Sequence, residues 1–189
     1  MLRFITLLAV LVTITGCAFV PQKVKIQPVV IVTPGPVPAG ARVVIKVSDK
    51  RISPLIGYRG LDSEMATIKS EQNLGELLQQ EIVKIFRQRG FQIVNDSEDA
   101  TPLLRVDLKL LEYKTTMDFW KGGVHTKVTL DAHGRSAGTF YEQSYTGERH
   151  ANAQEAPGAK TNTGLINGAV SDALQKLADD LALARFLAN

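Results

Sequence analysis

Cysteine is nearly missing from this 189-residue chain: Cys17 is the only one. No internal disulfide can staple the fold, and a thiolate metal cluster is excluded. Aromatic residues make up only 6%, with Trp120 the single tryptophan. No block of Lys and Arg occurs. The 22 Lys+Arg and 19 Asp+Glu leave a net charge of +3, of which Arg3 supplies one. Spread over a whole domain, that excess leaves no electrostatic footprint for nucleic acid. Long apolar runs are also absent. The longest, Phe4 to Ile14, is 11 residues, about 16 Å as a helix, whereas a bilayer span needs about 20 residues. No serine stands in a G-x-S-x-G context, so a nucleophile elbow is lacking. Neither Gly57-Tyr58-Arg59-Gly60 nor Gly122-Gly123 lies between a strand and a helix as a phosphate-binding loop requires. No internal repeat is visible.

What is present begins with the N-terminus. One cation at Arg3, the short apolar run and the small pair Thr15-Gly16 make up a secretory signal. Ile14-Thr15-Gly16-Cys17 resembles the bacterial lipobox. That resemblance implies cleavage before Cys17, a diacylglycerol on its thiol and an acyl chain such as palmitate on the new amine. It also accounts for an unpaired cysteine in an exported protein. Several acyl chains on one residue anchor stably where one does not, at about 0.8 kcal/mol per buried methylene. Ala18, in place of Asp, favours the outer membrane by resemblance to lipoprotein sorting rules.

Residues 17–41 carry prolines at 21, 28, 34, 36 and 38. They read as a lipidated N-terminus followed by a Pro-rich tether, in which Val29 to Val32 is suited to a sheet edge. A single globular domain is expected over 42–189. Val43, Ile45 and Val47 open it as a strand, and Met65 to Ser70 suggests a short one. Asn73 with Glu76 forms a capping box ahead of an apolar stripe of Leu74, Leu77, Leu78, Ile82, Ile85 and Phe86; Arg87, Arg89 and Gly90 close that helix. Phe91 to Val94 follows as a strand. Leu104, Val106, Leu108 and Leu110 alternate with Arg105, Asp107 and Lys109 until Leu111 and Tyr113 break the pattern. Val124 to Ala132 alternates again, His133 to Ser136 reads as a turn, and Thr139 to Thr146 returns. After a polar stretch from Gly147 to Lys160, one helix is expected over roughly Asn162 to Leu187. Its stripe runs from Ile166 to Leu177 and on to Leu181 and Phe186, with Asp172 and Lys176 as an i,i+4 pair. The expected fold is an α/β (α+β) two-layer sandwich, with a mixed, largely antiparallel sheet of about five strands and two helices on one face.

The chemistry-bearing residues are few. Of the histidines His125, His133 and His150, the first two lie about 26 Å apart along an extended chain, too far to share an ion. No metal and no cofactor are therefore expected. Asp107 with Asp131, or Glu112 with Glu142, are candidates to face each other across strands. Phe119 and Trp120, flanked by Asp118, Lys121, Gly122 and Gly123, are the expected contact with an envelope protein partner, because aromatics on a connection anchor partners well. Their alternative role is to fold back and cap the sheet edge. A hydrolase acting on cell-wall material would need Asp49, Arg51, Arg59 and a carboxylate to converge.

The signal, Cys17, the strand ending Val47-Ser48-Asp49-Lys50-Arg51, the Gly57-Tyr58-Arg59 loop, the Asn73 to Gly90 helix and the Ala-rich C-terminal helix, taken together, resemble the YajG-like family of uncharacterised Gram-negative lipoproteins. The resemblance implies an envelope lipoprotein with no known catalytic activity and no agreed binding residues. The leading expectation is a lipid-anchored binding or structural accessory domain, not an enzyme, on the periplasmic side of the outer membrane.

Overall fold

The computed structural model describes residues 20–35, 37–38, 40–59, 66–95, 101–118, 121–153 and 158–189. Within them the chain runs through β1 (Gln22–Val24), β2 (Arg42–Asp49), β3 (Leu55–Tyr58), β4 (Thr67–Ser70), α1 (Leu74–Gln88), β5 (Gln92–Ile93), β6 (Leu103–Asp118), β7 (Lys121–Ser136), β8 (Thr139–Ala153), α2 (Ala159–Asp179) and α3 (Leu181–Ala188). The mixed α/β class and the layered arrangement agree with the sequence, but eight strands replace five and three helices replace two among the described residues.

Three long antiparallel strands, β6, β7 and β8, dominate the sheet. Their alternation sends Leu104, Val106, Leu108, Val124, Val128, Leu130 and Tyr145 into the core. A register shift between Leu108 and Leu110 explains why Leu111 and Tyr113 break the pattern. One extra residue in a strand reverses the parity beyond it, so both side chains stay buried. The free edge of β6 is shared. Its first half pairs with parallel β2, and its second half meets β3 at Gly57–Tyr113. Beyond β3 come antiparallel β4 and then parallel β1, while two-residue β5 flanks β2.

The turn expected at His133 to Ser136 lies instead at Ala137-Gly138, with φ of 47° and 77°, the two positive values a tight hairpin connection requires. Gly134 is a strand residue. A Cβ there would come within 2.9 Å of the Phe186 ring, so this glycine makes room for α3. The strand also continues through the polar stretch after Thr146 to Ala153. It reads as loop in the sequence because only one face of β8 is covered.

α1 forms as its sequence dictates. Asn73 Oδ1 accepts from the backbone N–H of Gly75 at 3.0 Å and of Glu76 at 3.3 Å, and Asn73 Nδ2 reaches Glu76 Oε1 at 3.2 Å. Leu74, Leu78, Ile82, Ile85 and Phe86 are buried, and Gly90 closes the helix at φ 106°. Arg89 departs from expectation. It is buried and donates from Nη2 to the Ala178 carbonyl and from Nη1 to the Asp180 carbonyl at 3.4 Å. It therefore caps the C-terminal end of α2 and not of its own helix.

The expected single C-terminal helix is two. Asp180 is extended (ψ 98°), and its Oδ1 accepts the Leu183 N–H at 2.9 Å as the N-cap of α3. The break turns Leu181 outward, 47% exposed, and buries Leu183, Ala184 and Leu187 in its place. The expected Asp172–Lys176 pair does not form either. Asp172 binds Arg149 through two contacts of 2.6 and 2.7 Å, and Lys176 donates to the Thr146 carbonyl at 2.7 Å.

Val29 to Val32 does not pair with a sheet edge; that place is taken by Gln22–Val24 on β4. Residues 25–32 run extended beside α2. The backbone N–H groups of Gln27, Val29 and Ile31 donate to the side chains of Asn167, Ser171 and Gln175 at 2.7, 3.0 and 2.9 Å. Two extended residues advance about 6.6 Å and four helical residues about 6 Å, so every second strand residue meets every fourth helix residue. Val30 and Val32 pack against the core, while Val29 and Ile31 stay exposed. Part of the expected tether is thus a strap bound to the domain.

Candidate functional site

The β6–β8 meander has two unlike faces. The helices cover one. On the other, residues of opposite parity form three columns: Arg105, Asp107, Glu112 and Lys114 on β6; His133, Asp131, Thr129, Lys127 and His125 on β7; Glu142, Ser144, Thr146, Glu148 and His150 on β8. The registers put Glu112 beside Lys127, Lys127 beside Glu148, His133 beside Glu142 and His125 beside His150.

Asp107 and Asp131 do face each other, as the sequence suggests. Each has another partner: Arg105 lies 3.6 Å from Asp107, and Ser144 Oγ donates to Asp131 at 2.6 Å. Glu112 and Glu142 do not meet. Glu112 is paired with Lys114 at 2.9 Å and Glu142 with His133 at 3.5 Å. Exposed pairs of this kind contribute little to stability, roughly 0 to 1 kcal/mol each, and mainly set the face's polarity.

At one end of the face the sequence reading missed a constellation. The His125 and His150 rings stack with centroids 4.2 Å apart and planes 5° apart. Both Nε2 atoms approach the same oxygen, Glu148 Oε2, at 3.8 and 3.9 Å. The other carboxylate oxygen receives Lys127 Nζ at 3.1 Å. That Lys127 contact, helped by the neighbouring histidines, holds the Glu148 carboxyl below its ordinary range. The signal in the sequence was the hairpin register. Counting outward from Ser136 and Thr139, one residue at a time on each strand, brings His125 and His150 into line. With the turn misplaced, His150 fell in a loop and the pair was invisible.

A second feature is a cleft of about 370 Å³ lined by Arg51, Tyr58, Glu112, Lys114 and neighbouring residues of β3 and β6. Of the four groups a hydrolase would need, Arg51 and the Glu112 carboxylate line this cleft among the described residues. Asp49 and Arg59 are not among the lining residues, and Asp49 is occupied in binding Arg51, with Nε–Oδ1 at 2.9 Å and Nη2–Oδ2 at 2.7 Å. Burial pushes the Asp49 carboxyl up, but the Arg51 hydrogen bonds and charge outweigh it and hold the group below its ordinary value.

Beneath the covered face, a buried chain of polar groups ties the strap to the sheet. Tyr113 Oη donates to Asn162 Oδ1 at 2.7 Å, Asn162 Nδ2 to Gln22 Oε1 at 3.1 Å, and Gln22 Nε2 to the Ala159 carbonyl at 2.8 Å. Burial raises the Tyr113 hydroxyl to about 12, so it stays a donor. β1 is thereby fixed to the start of α2 and the far half of β6. Cys17, Phe119 and Trp120 lie outside the described residues.

A family model described as "Uncharacterized lipoprotein" matches residues 28–188. No curated protein matches. Among solved structures, the chain is similar to a Xanthomonas campestris protein of family DUF330, at 18% identity and a TM-score of 0.51, covering 88% of this chain and 95% of that one. It is also similar to a Helicobacter pylori protein described as a homologue of the neuraminyllactose-binding hemagglutinin, at 10% identity and a TM-score of 0.51, covering 85% and 92%. A minor lipoprotein from Acinetobacter baumannii follows at 10% identity and a TM-score of 0.47, covering 77% and 92%. At these identities the first two likenesses are of fold. Among the described residues no helix is long and apolar enough to cross a membrane.

Proposed function

Because the chain belongs to this family of uncharacterised lipoproteins, we propose that it is a non-enzymatic accessory protein of the Gram-negative envelope, held by lipid on Cys17 to the periplasmic side of the outer membrane. The observation that carries this reading is the short distance between the lipobox-like cysteine and the folded domain. Val20 is exposed, and Gln22 is locked into the Tyr113–Asn162 network. Two residues lie between Cys17 and Val20, and the three residue-to-residue steps reach at most about 11 Å. A lipid on Cys17 would hold the domain against the bilayer, with the end bearing β1, β4 and the start of α2 facing it. Lys23 and Lys69, register partners on β1 and β4, are exposed at that end together with Lys25 and Lys160; Glu71 is the acidic neighbour. Basic groups close to a bilayer are drawn to anionic headgroups.

Mass spectrometry of the mature protein from a Gram-negative host is expected to show residues 1–16 removed and diacylglyceryl plus acyl mass on Cys17. Cys17→Ala should move the protein out of the membrane fraction while the domain stays folded. An unmodified N-terminus at another residue would refute the assignment.

Phe119 and Trp120 remain the proposed contact with an envelope partner. Support comes from their flanking residues: Asp118 and Lys121 are register partners at the end of the sheet that carries Gln22. Phe119→Ala/Trp120→Ala is expected to leave thermal unfolding unchanged and to remove crosslinked partners, since a desolvated aromatic anchor is worth about 2 kcal/mol or more of binding energy. A large fall in stability would instead make the pair a cap on the core, and full recovery of every partner would exclude the contact.

A further inference from the structure

We propose that His125, Glu148 and His150 form a binding site for a divalent transition-metal ion on the open face of the meander. One ring nitrogen from each histidine and one carboxylate oxygen all lie within 4.8 Å of one another. The backbone provides the arrangement. Glu148 and His150, two apart on β8, share a face, and His125 is the register partner of His150 on β7. Two ligands two residues apart on one strand, with a third directly across from one of them and diagonal to the other, define one face of a coordination polyhedron.

The carboxylate is oriented for it. Glu148 Oε1 is held by Lys127 at 3.1 Å, which leaves Oε2 turned to both rings, 3.8 and 3.9 Å from the two Nε2 atoms. A ligand carboxylate fixed through its second oxygen is a common way of orienting a metal ligand. His125 Nε2 is buried and has no hydrogen-bond partner, an unmet requirement that a metal bond would satisfy. Metal–nitrogen bonds of about 2.0–2.1 Å and metal–oxygen bonds of about 2.0–2.2 Å put ligand atoms roughly 3.3 Å apart in a tetrahedron. Each Nε2 therefore has to move about half an ångström towards the carboxylate, and the two parallel rings have to tilt out of their stack so that their in-plane lone pairs converge. Two imidazoles and one carboxylate select zinc, nickel or copper over calcium or magnesium. Three protein ligands leave coordination positions open to water. The nearby Lys127 and Lys114, the latter in register with His125, oppose a dication, so binding in the micromolar range is expected and not a permanently loaded structural site.

The same face carries its own control. His133 and Glu142 form a histidine–carboxylate pair at 3.5 Å that has no third ligand among the described residues. The experiment titrates the whole mature chain, in detergent micelles, with Zn²⁺, Ni²⁺ and Cu²⁺ by calorimetry, and with Co²⁺ by visible absorption, which reports imidazole coordination directly. One ion per chain is expected. His125→Ala and His150→Ala should each weaken binding by more than about tenfold, Glu148→Gln should weaken it and change the cobalt spectrum, and His133→Ala should match the wild type. All four positions are on the open face, and unchanged thermal unfolding of the metal-free variants would show that the fold is intact. No binding by the wild type, or binding that survives the His125→Ala/His150→Ala double substitution, would overturn the proposal.

Discussion

Gly147→Val is expected to leave little folded protein. Gly147 is buried on β8 where α2 crosses it, and a Cβ built there would stand 2.0 Å from the Ala169 carbonyl oxygen and 2.7 Å from the Ala173 nitrogen. Both are backbone atoms of a helix pinned at each end. Gln22 and Asn162 hold its start, and Arg89 holds its last carbonyls. It has no easy direction in which to retreat. Overpacking typically costs 1–3 kcal/mol where side chains can adjust. Here the obstruction is main chain, and more than about 4 kcal/mol is expected for Val and about 3 for Ala, against a total stability of about 5–15 kcal/mol. Gly164→Ala is the control within the same helix. A Cβ there meets nothing within 4 Å, so the substitution should stabilise by about 0.5–1 kcal/mol through helix propensity. Urea titrations of both variants measure the contrast, and a Gly147→Ala protein within about 0.5 kcal/mol of wild type would show that helix and strand are not in backbone contact.

The second large effect is expected at Asp180, where three chain segments meet on one carboxylate. Tyr141 and Tyr145 each donate to Oδ2 at 2.6 Å, and Oδ1 accepts the Leu183 N–H. Asp180→Ala removes two charge-assisted hydrogen bonds, worth about 1.5–3 kcal/mol each, and a helix cap worth about 1. It also leaves the buried Tyr145 hydroxyl without an acceptor. Because the losses overlap, about 3–5 kcal/mol is expected in denaturant titrations, with Tyr141→Phe costing about 1. A cost below about 1 kcal/mol for Asp180→Ala would show that the two hydroxyls find other partners.

The same cluster sets a pH dependence on both sides. Burial opposes ionisation of Asp180, but the two tyrosine hydroxyls and the backbone N–H groups of Leu183 and Ala182 outweigh it and hold the carboxyl below its ordinary value. A carboxylate with a depressed folded pKa adds stability above its unfolded value, near 4. It loses that contribution as pH falls below about 4 and through the folded value. Burial and the Asp180 charge push Tyr141 up to about 12 and Tyr145 higher still. Unfolded tyrosines ionise near 10, so stability is also lost as pH rises beyond that. The advantage of wild type over Asp180→Ala should be complete between about pH 5 and 9 and shrink outside it.

Local signals fixed some elements and misled on others. α1 was legible to within a residue because its cap, stripe and stop are all short-range, and β6 because alternation is a property of consecutive residues. The Val29 to Val32 segment misled because an apolar extended run looks the same whether its partner is a strand or a ladder of Asn167, Ser171 and Gln175 on a helix. The Ala137-Gly138 turn misled because alanine at positive φ gives no sign of itself, and the error hid the end of β8 together with His150.

By itself, the sequence determined the α/β class, the first helix and the alternating strands, since each depends on spacing along the chain. Only the tertiary structure decided that Arg89 caps a helix other than its own, that Asp180 splits the C-terminal helix, that the proline-rich segment is strapped to α2, and that His125, Glu148 and His150 meet. In each case at least one partner lies far away in the chain. Which residues become neighbours is then set by where the turn falls and how the layers pack, and no local pattern carries that information.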